Sequence, residues 1–270
     1  MIEEQAANQA AKPKLPSVFI TGTDTGVGKT VVSALLGLIY QAAGLTVGYL
    51  KPVETGAAKV GDELIPADAK FVAAVLGLED EPIEMLCPYR YEQPVSPHLA
   101  VILSKRPVKS PNILECFNYL DRRYDAVIVE GAGGLLVPVS PNYMIADMVR
   151  DLGLPLLITA RPGLGTINHT LLTVAAALQA ELYVEGVVIN RYPENPGLVE
   201  RNNPKAIAEY SGIPVLALVP EIAGLDPENP DIDLLKEAAR RLNDTYRLDE
   251  TLKTLAPKES FTTTNRHYQE

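Results

Sequence analysis

The sequence predicts a single-domain α/β fold, a largely parallel β-sheet with helices on both faces, and three observations carry that expectation. Short β-branched runs alternate with longer segments of helical period, the signature of βαβ units. One strand-like run leads through a glycine-bearing turn ending in Gly-Lys-Thr directly into an apolar-periodic helix. The conspicuous polar residues also fall just past the carboxyl ends of the expected strands, the edge at which open parallel sheets bind ligands.

Strands are expected at Ser17–Thr21, Leu45–Leu50, Ala126–Glu130, Leu154–Thr159, Val184–Asn190 and Val215–Val219. Between them the helical period predicts helices over Lys29–Ala42, Ala67–Val75, Met144–Leu152, Asn168–Gln179, Pro204–Tyr210 and Leu234–Leu242. The stretch Leu78–Arg123 is the least decided, with weak helical signals at Pro97–Ser104 and Pro111–Leu120. No solenoid repeat and no Pro/Gly/Ser linker divides the chain, so residues 17–245 are expected as one domain. Residues 1–16 read as a disordered N-terminal tail without the apolar stretch of a secretory signal, and 246–270 as a polar C-terminal tail.

Composition bounds the function. The 270 residues are 47% apolar, ample for one buried core. Acidic residues outnumber basic ones by 34 to 24, a net charge of −10, which argues against nucleic acid and anionic membrane surfaces as partners. A bound phosphate must therefore be held by a local site. Cys87 and Cys116 are too few for a disulfide framework and fit no zinc spacing; buried, unreactive thiols in a reducing cytoplasm are expected. No apolar run approaches the ~20 residues of a membrane span.

The run FITGTDTGVGKTVVSALL, Phe19 to Leu36, is the strongest signal, and it predicts a P-loop NTPase fold. Gly26 and Gly28 let the backbone curl so that N–H groups face a phosphate, Lys29 brings a charge to the β- and γ-phosphates, and Thr30 offers a hydroxyl to Mg²⁺. The usual spacing would put glycine at position 23; this chain has Thr23 there and its first glycine one residue earlier, at Gly22.

Lys51 follows the second strand in GYLKPVETG and is expected beside the loop if the first two strands are neighbours. A lone strand-end lysine is often only solvated, but Pro52 and the flanking glycines shape a pocket around this one. Glu130, at the tip of the apolar strand in IVEGAGG, suits Mg²⁺, which prefers carboxylates together with phosphate oxygens; capping the next turn is its plainer alternative. Asp68, at a helix start, is equally well explained as a first-turn acid. Asn190 reads either as a base contact or as a strand-end turn residue, and His98 and His169 as buried or capping side chains.

Taken in order, TGTDTGVGKT, GYLKPVETG, SPHLA, VEGAGG, GLGTINHTLLT and VINR, spread over Val18 to Pro220, closely resemble dethiobiotin synthetase. The resemblance implies an ATP-dependent ligase of biotin biosynthesis that joins CO₂ to 7,8-diaminononanoate and closes a cyclic urea, releasing ADP and phosphate. It implies Lys51, Lys29 and Thr25 as the residues at the chemistry, and Thr30, Asp68 and Glu130 as Mg²⁺ ligands. ATP contacts are implied at Gly26, Val27, Gly28, Gly131, Ala132, Gly133, Asn190, Arg191, Pro220 and Glu221. Thr55, Ser96 and Pro97 are implied to meet the substrate. Its far carboxylate would be received at the helix start holding Gly165, Thr166 and Asn168, contributed by the other subunit of a homodimer. Some relatives carry glutamate where this chain has Gly26.

Two rival readings stay open on the sequence. A partitioning or regulatory ATPase would carry a signature lysine early in the loop, where this chain has Asp24. A cobyrinate-amidase-like ligase would usually draw ammonia from a glutaminase domain with a nucleophilic cysteine, and neither Cys87 nor Cys116 sits in a nucleophile elbow.

Overall fold

The computed structural model describes residues 17–254. In chain order its elements are β1 (Val18–Gly22), α1 (Lys29–Ala42), β2 (Val47–Leu50), β3 (Val53–Thr55), β4 (Ala58–Val60), β5 (Glu63–Ile65), α2 (Ala67–Leu76), α3 (Ile83–Leu86), β6 (Tyr89–Tyr91), α4 (Pro97–Ser104) and α5 (Ser110–Asp121). There follow β7 (Ala126–Gly134), β8 (Pro138–Ser140), β9 (Tyr143–Met144), α6 (Ile145–Leu152), β10 (Leu156–Ala160), α7 (Thr166–Gln179), β11 (Val184–Tyr192), α8 (Leu198–Ser211), β12 (Val215–Pro220), α9 (Ile232–Tyr246) and α10 (Leu248–Thr254). The expected tail at 1–16 and the expected tail residues 255–270 lie outside the described residues.

The six expected strands form one sheet in the order β12-β11-β10-β1-β7-β2, with every neighbouring pair parallel. Such strands are covered on both faces, which is why they read as continuous apolar runs. From β1 the chain goes to β2 at the sheet's edge, returns to β7 beside β1, and then crosses to β10 on the other side. The β1 turn therefore lies at the switch point where a ligand crevice opens. One expectation is corrected: β2 is not the neighbour of β1, because β7 lies between them. Lys51 reaches towards the loop across β7 at Glu130, one residue beyond the last β2 pairing at Val129; β7 itself runs on to Gly134, past the strand end expected at Glu130.

Helix α1 is buried without a break from Val32 to Tyr40, since the sheet covers one side while α2, α9 and α10 pack on the other. That last contact corrects the tail expected from residue 246. Leu248 and Leu252 of α10 are buried and share an apolar contact with Leu35, Leu36, Ile39 and Leu242. A third correction concerns α8, which begins at Leu198 and runs through Pro204 instead of starting there. Proline deprives the Glu200 carbonyl of its helical donor, and Tyr192 Oη supplies one instead at 3.0 Å.

Both weak helical signals between Leu78 and Arg123 mature into α4 and α5, but α3 and β6 had no local signal. Tertiary contacts hold this region. The Glu81 carboxylate accepts from Tyr119 Oη at 2.8 Å, Tyr124 Oη at 2.7 Å and Arg123 Nη2 at 2.9 Å. Among the described residues no helix is long and apolar enough to cross a membrane. Cys87 and Cys116 are free and buried, as expected.

Far from the ligand edge, at the start of β11, Glu185 is 2% exposed and neither carboxylate oxygen has a hydrogen-bond partner among the described residues. Burial pushes its carboxyl up to about 7. Because the folded-state value lies above the unfolded one, the folded chain binds this proton more tightly. Stability is therefore greatest below the ordinary carboxylate range, falls as pH rises towards about 7, and levels off above it. Glu185→Gln should raise the melting temperature more at about pH 8 than at about pH 4.5. The same gain at both pH values would show that Glu185 does not titrate in that window.

Candidate active site

Past the carboxyl ends of β1, β2, β7 and β11 the structure opens a cleft of about 380 Å³. It is lined by Thr25, Gly26, Gly28, Lys29, Thr30, Lys51, Thr55, Asp68, Glu130, Ala132, Gly133 and Arg191, all of them expected site residues. Val53, Glu54, Phe71, Leu225 and Pro227 also line it, and sequence reasoning did not find them.

The centre of the cleft is a buried charge cluster. Lys51 Nζ lies 2.5 Å from Glu130 Oε1 and 2.7 Å from Asp68 Oδ2. Glu130 is fully buried, and an isolated carboxylate there would be strongly disfavoured. Here both oxygens are partnered: Oε1 also accepts from Thr30 Oγ1 at 2.9 Å, and Oε2 lies within reach of Ser33 Oγ at 2.9 Å and Tyr49 Oη at 2.8 Å. Ser33 and Tyr49 were not anticipated. The available signal was their spacing, since Ser33 lies one helical turn beyond Lys29 and Tyr49 two residues before Lys51 in an alternating strand.

The electrostatics follow from burial set against opposite charge. Burial alone would lower Lys51, but Glu130 and Asp68 outweigh it and hold the ammonium above the usual lysine range. Burial would raise Asp68; the adjacent Lys51 charge and its hydrogen bond keep that carboxyl below its usual range. Lys29 is brought down to about 8, first by burial and then by repulsion from Lys51. Glu54 is pushed up to about 7 by burial, against the pull of Lys51.

The phosphate loop is fastened from the β11 side. Asn190 Nδ2 donates to Val27 O at 2.9 Å, and Arg191 Nη1 donates to Gly26 O at 3.1 Å. Thr23 N already donates to Thr159 O and Thr25 N to Asp24 Oδ1, so the N–H groups from Gly26 onward are the part of the loop suited to an anion. Asn190 is 2% exposed, so in the structure its amide nitrogen holds the loop. The glycine shift noted in the sequence has a steric reason: a Cβ on Gly22 would fall 2.7 Å from Asp24 O, inside the turn.

Thr30, Asp68 and Glu130 fit a small hard cation: the Asp68 and Glu130 carboxylates meet at the Lys51 ammonium, and the Thr30 hydroxyl lies against Glu130, so oxygens from three elements stand together. Among the described residues no group of three or more His, Cys, Asp or Glu forms a metal cage.

Several expected residues do not line this cleft within one chain: Val27, Gly131, Asn190, Pro220 and Glu221, and the substrate set Ser96, Pro97, Gly165, Thr166 and Asn168. Thr166 is fully buried and its N–H donates to Gly163 O at 3.3 Å, so neither its hydroxyl nor its amide faces outward. His98 is exposed, with Nδ1 3.1 Å from Ser96 Oγ at the start of α4. His169 Nδ1 lies 3.0 Å from Arg161 Nη2. Cys87 is held well above the usual thiol range by burial, which removes it as a nucleophile.

Comparison with known proteins gives the family and the fold. The AAA domain family model matches residues 16–229. The chain is 35% identical over 218 residues to the ATP-dependent dethiobiotin synthetase BioD of Thermodesulfovibrio yellowstonii, covering 78% of this chain and 90% of that one. With the protein of the same name from Bacillus cereus it shares 38% over 219 residues, covering 81% and 89%. Among solved structures, the septum site-determining protein MinD complexed with Mg-ADP from Pyrococcus horikoshii superposes with a TM-score of 0.52 at 19% identity, covering 89% of this chain and 94% of that one. The Pyrococcus furiosus cell division ATPase MinD gives 0.51 at 16%, covering 85% and 99%. At these identities the two MinD structures speak to the fold alone.

A Cβ on Gly28 would lie 2.1 Å from Asn190 Nδ2, and Gly28 holds a φ of 87°, so Gly28→Ala must either strain the turn or expel its anchor. The variant should lose binding of a fluorescent ATP analogue by ten-fold or more while its circular dichroism stays that of the parent. Unchanged nucleotide affinity would show that the Asn190 anchor does not shape the loop.

Proposed function

The chain belongs to the family of ATP-dependent dethiobiotin synthetases, and from that membership we propose that it joins CO₂ to 7,8-diaminononanoate and closes the cyclic urea of dethiobiotin. It is an ATP-dependent ligase of the P-loop fold, with its place in biotin biosynthesis. The observation that carries the particular reaction is the pairing of two lysines, Lys29 and Lys51, at one phosphate loop.

An amine of the substrate captures CO₂ as a carbamate. A carbamate oxygen attacks the γ-phosphorus of ATP, the bond to ADP breaks, and a carbamic-phosphoric anhydride forms. The second amine attacks the anhydride carbon and expels phosphate, closing the ring. None of these steps needs a nucleophile from the protein, so positioning and charge stabilisation carry the catalysis. Lys29 meets the β- and γ-phosphates, and Lys51 faces the oxygens on which charge develops. Thr25 and the loop amides complete the phosphate cradle, and Thr55, on the cleft wall, contacts the diamine. Thr30, Asp68 and Glu130 would hold Mg²⁺, which neutralises phosphate charge when bound. The base would lie beside Arg191, Leu225 and Pro227, towards Asn190, Pro220 and Glu221.

The substrate's distal carboxylate calls for a second anion site. The start of α7 is suited to this, with Gly165 and Asn168 exposed and free of the cleft of their own chain. Leu164 at 83% and Leu172 at 61% are exposed on the same segment, as an apolar subunit contact requires. A homodimer with shared sites, working in the cytoplasm, is the arrangement we infer.

Phosphate release with Mg-ATP and bicarbonate should depend on 7,8-diaminononanoate and match the cyclic urea detected by mass. Lys51→Gln should reduce turnover by about 100-fold or more, the scale of removing one charge-stabilising donor. Release indifferent to the diamine would instead favour a switch ATPase.

A further inference from the structure

Helix α2 begins without a side-chain cap of its own. Its N-cap is Pro66, which offers no side-chain acceptor, so the first N–H groups of the helix need a partner from elsewhere. Glu54, from β3, supplies it. Glu54 Oε1 accepts from Asp68 N at 2.9 Å, and Oε2 accepts from Ala69 N at 3.2 Å. The carboxylate is 5% exposed and forks two consecutive amides, a geometry that fixes both the axis and the rotation of the helix start. One of those amides belongs to Asp68, whose Oδ2 lies 2.7 Å from Lys51 Nζ in the charge cluster.

We propose that Glu54 is a positioning residue: by clasping the amides of Asp68 and Ala69 it sets the Asp68 carboxylate on the cation-binding side of the cleft. The cation affinity of the site then depends on a carboxylate that does not itself touch the cation. Glu54 also lies directly between Val53 and Thr55 on the cleft wall, so one short strand joins the wall that meets the diamine to the helix that carries Asp68. Partners that orient a metal ligand typically contribute 10–100-fold to metal affinity. The inference rests on the reading above that Thr30, Asp68 and Glu130 hold the divalent ion.

The test is Mn²⁺ titration by electron paramagnetic resonance into the full-length protein carrying a non-hydrolysable ATP analogue. Glu54→Ala, Glu54→Gln and Asp68→Asn are compared with the parent, and hydrogen exchange is followed over residues 67–70. We expect Glu54→Ala to weaken Mn²⁺ by about 10-fold or more, approaching Asp68→Asn, with faster exchange at the start of α2. Glu54→Gln keeps the volume and one acceptor, so it reports even if the alanine variant fails to fold, and it should weaken Mn²⁺ by several-fold. A purely structural cap would lower the melting temperature and leave the Mn²⁺ affinity of folded protein unchanged, which would overturn the proposal. If Asp68→Asn also binds Mn²⁺ like the parent, the assignment of the cation site itself has failed, and the Glu54 inference falls with it.

Discussion

The structure turns on the burial of one carboxylate. Glu130 sits midway along the central strand β7 with no solvent access, and removing one partner from a buried charge of this kind typically destabilises by about 3–5 kcal/mol. Its partners come from α1 through Thr30 and Ser33, from β2 through Tyr49, and from the turn after β2 through Lys51. Lys51 in turn draws in Asp68 from α2. The start of α1 and the end of β2 with its following turn are thus docked directly on one side chain, and α2 joins them through Lys51. This gives a reason for the strand order: with β7 between β1 and β2, Glu130 stands where the loop helix and the Lys51 turn can both reach it.

The phosphate loop is held between two unlike walls. On the β7 and β2 side the anchors are charges, and on the β11 side they are an amide and a guanidinium that take loop carbonyls. Neither wall depends on a ligand for its own hydrogen bonds. The loop can therefore keep a fixed shape as charge moves during phosphoryl transfer, which is where preorganised donors are most effective. Arg191 adopts a φ of 54° to make its contact, a conformation non-glycine residues adopt infrequently, and the strand end absorbs that strain while fastening the loop.

What was legible in the sequence divides along the range of the forces involved. The six strands and the helix after the loop are written in local periodicity, and they form close to where it places them. Loop glycines, Lys29 and Thr30 are legible because a phosphate cradle demands those residue types at fixed spacing. Lys51, Asp68 and Glu130 were each ambiguous alone, since a strand-end lysine and a first-turn acid have ordinary explanations. Ser33 and Tyr49 carried only the faint signal of their spacing from Lys29 and Lys51, and Glu54 none, because each acts through a partner 97, 81 or 14 positions away. The α10 packing and the continuation of α8 through Pro204 were hidden for the same reason. A short polar-looking helix is held by two buried leucines, and a missing backbone donor is replaced by a tyrosine from another element.

The fold is shared with cell-division ATPases, so the chemistry must be argued from the charges lining the cleft. Those charges nearly cancel: Lys29, Lys51 and Arg191 face Glu54, Asp68 and Glu130. Set in a protein of net charge −10, a balanced cleft exerts little long-range pull on a triphosphate. On the reading proposed above, affinity comes from short-range donors at the loop and from a cation arriving with the nucleotide, and the placement of the acidic side chains is then decisive. A lysine held between two carboxylates has a further consequence for the reaction proposed here. Against the lowering effect of burial, Glu130 and Asp68 hold that ammonium above the usual lysine range, which suits Lys51 to act by charge and hydrogen bonding. In the proposed reaction the proton lost when an amine captures CO₂ then passes to solvent or to another group.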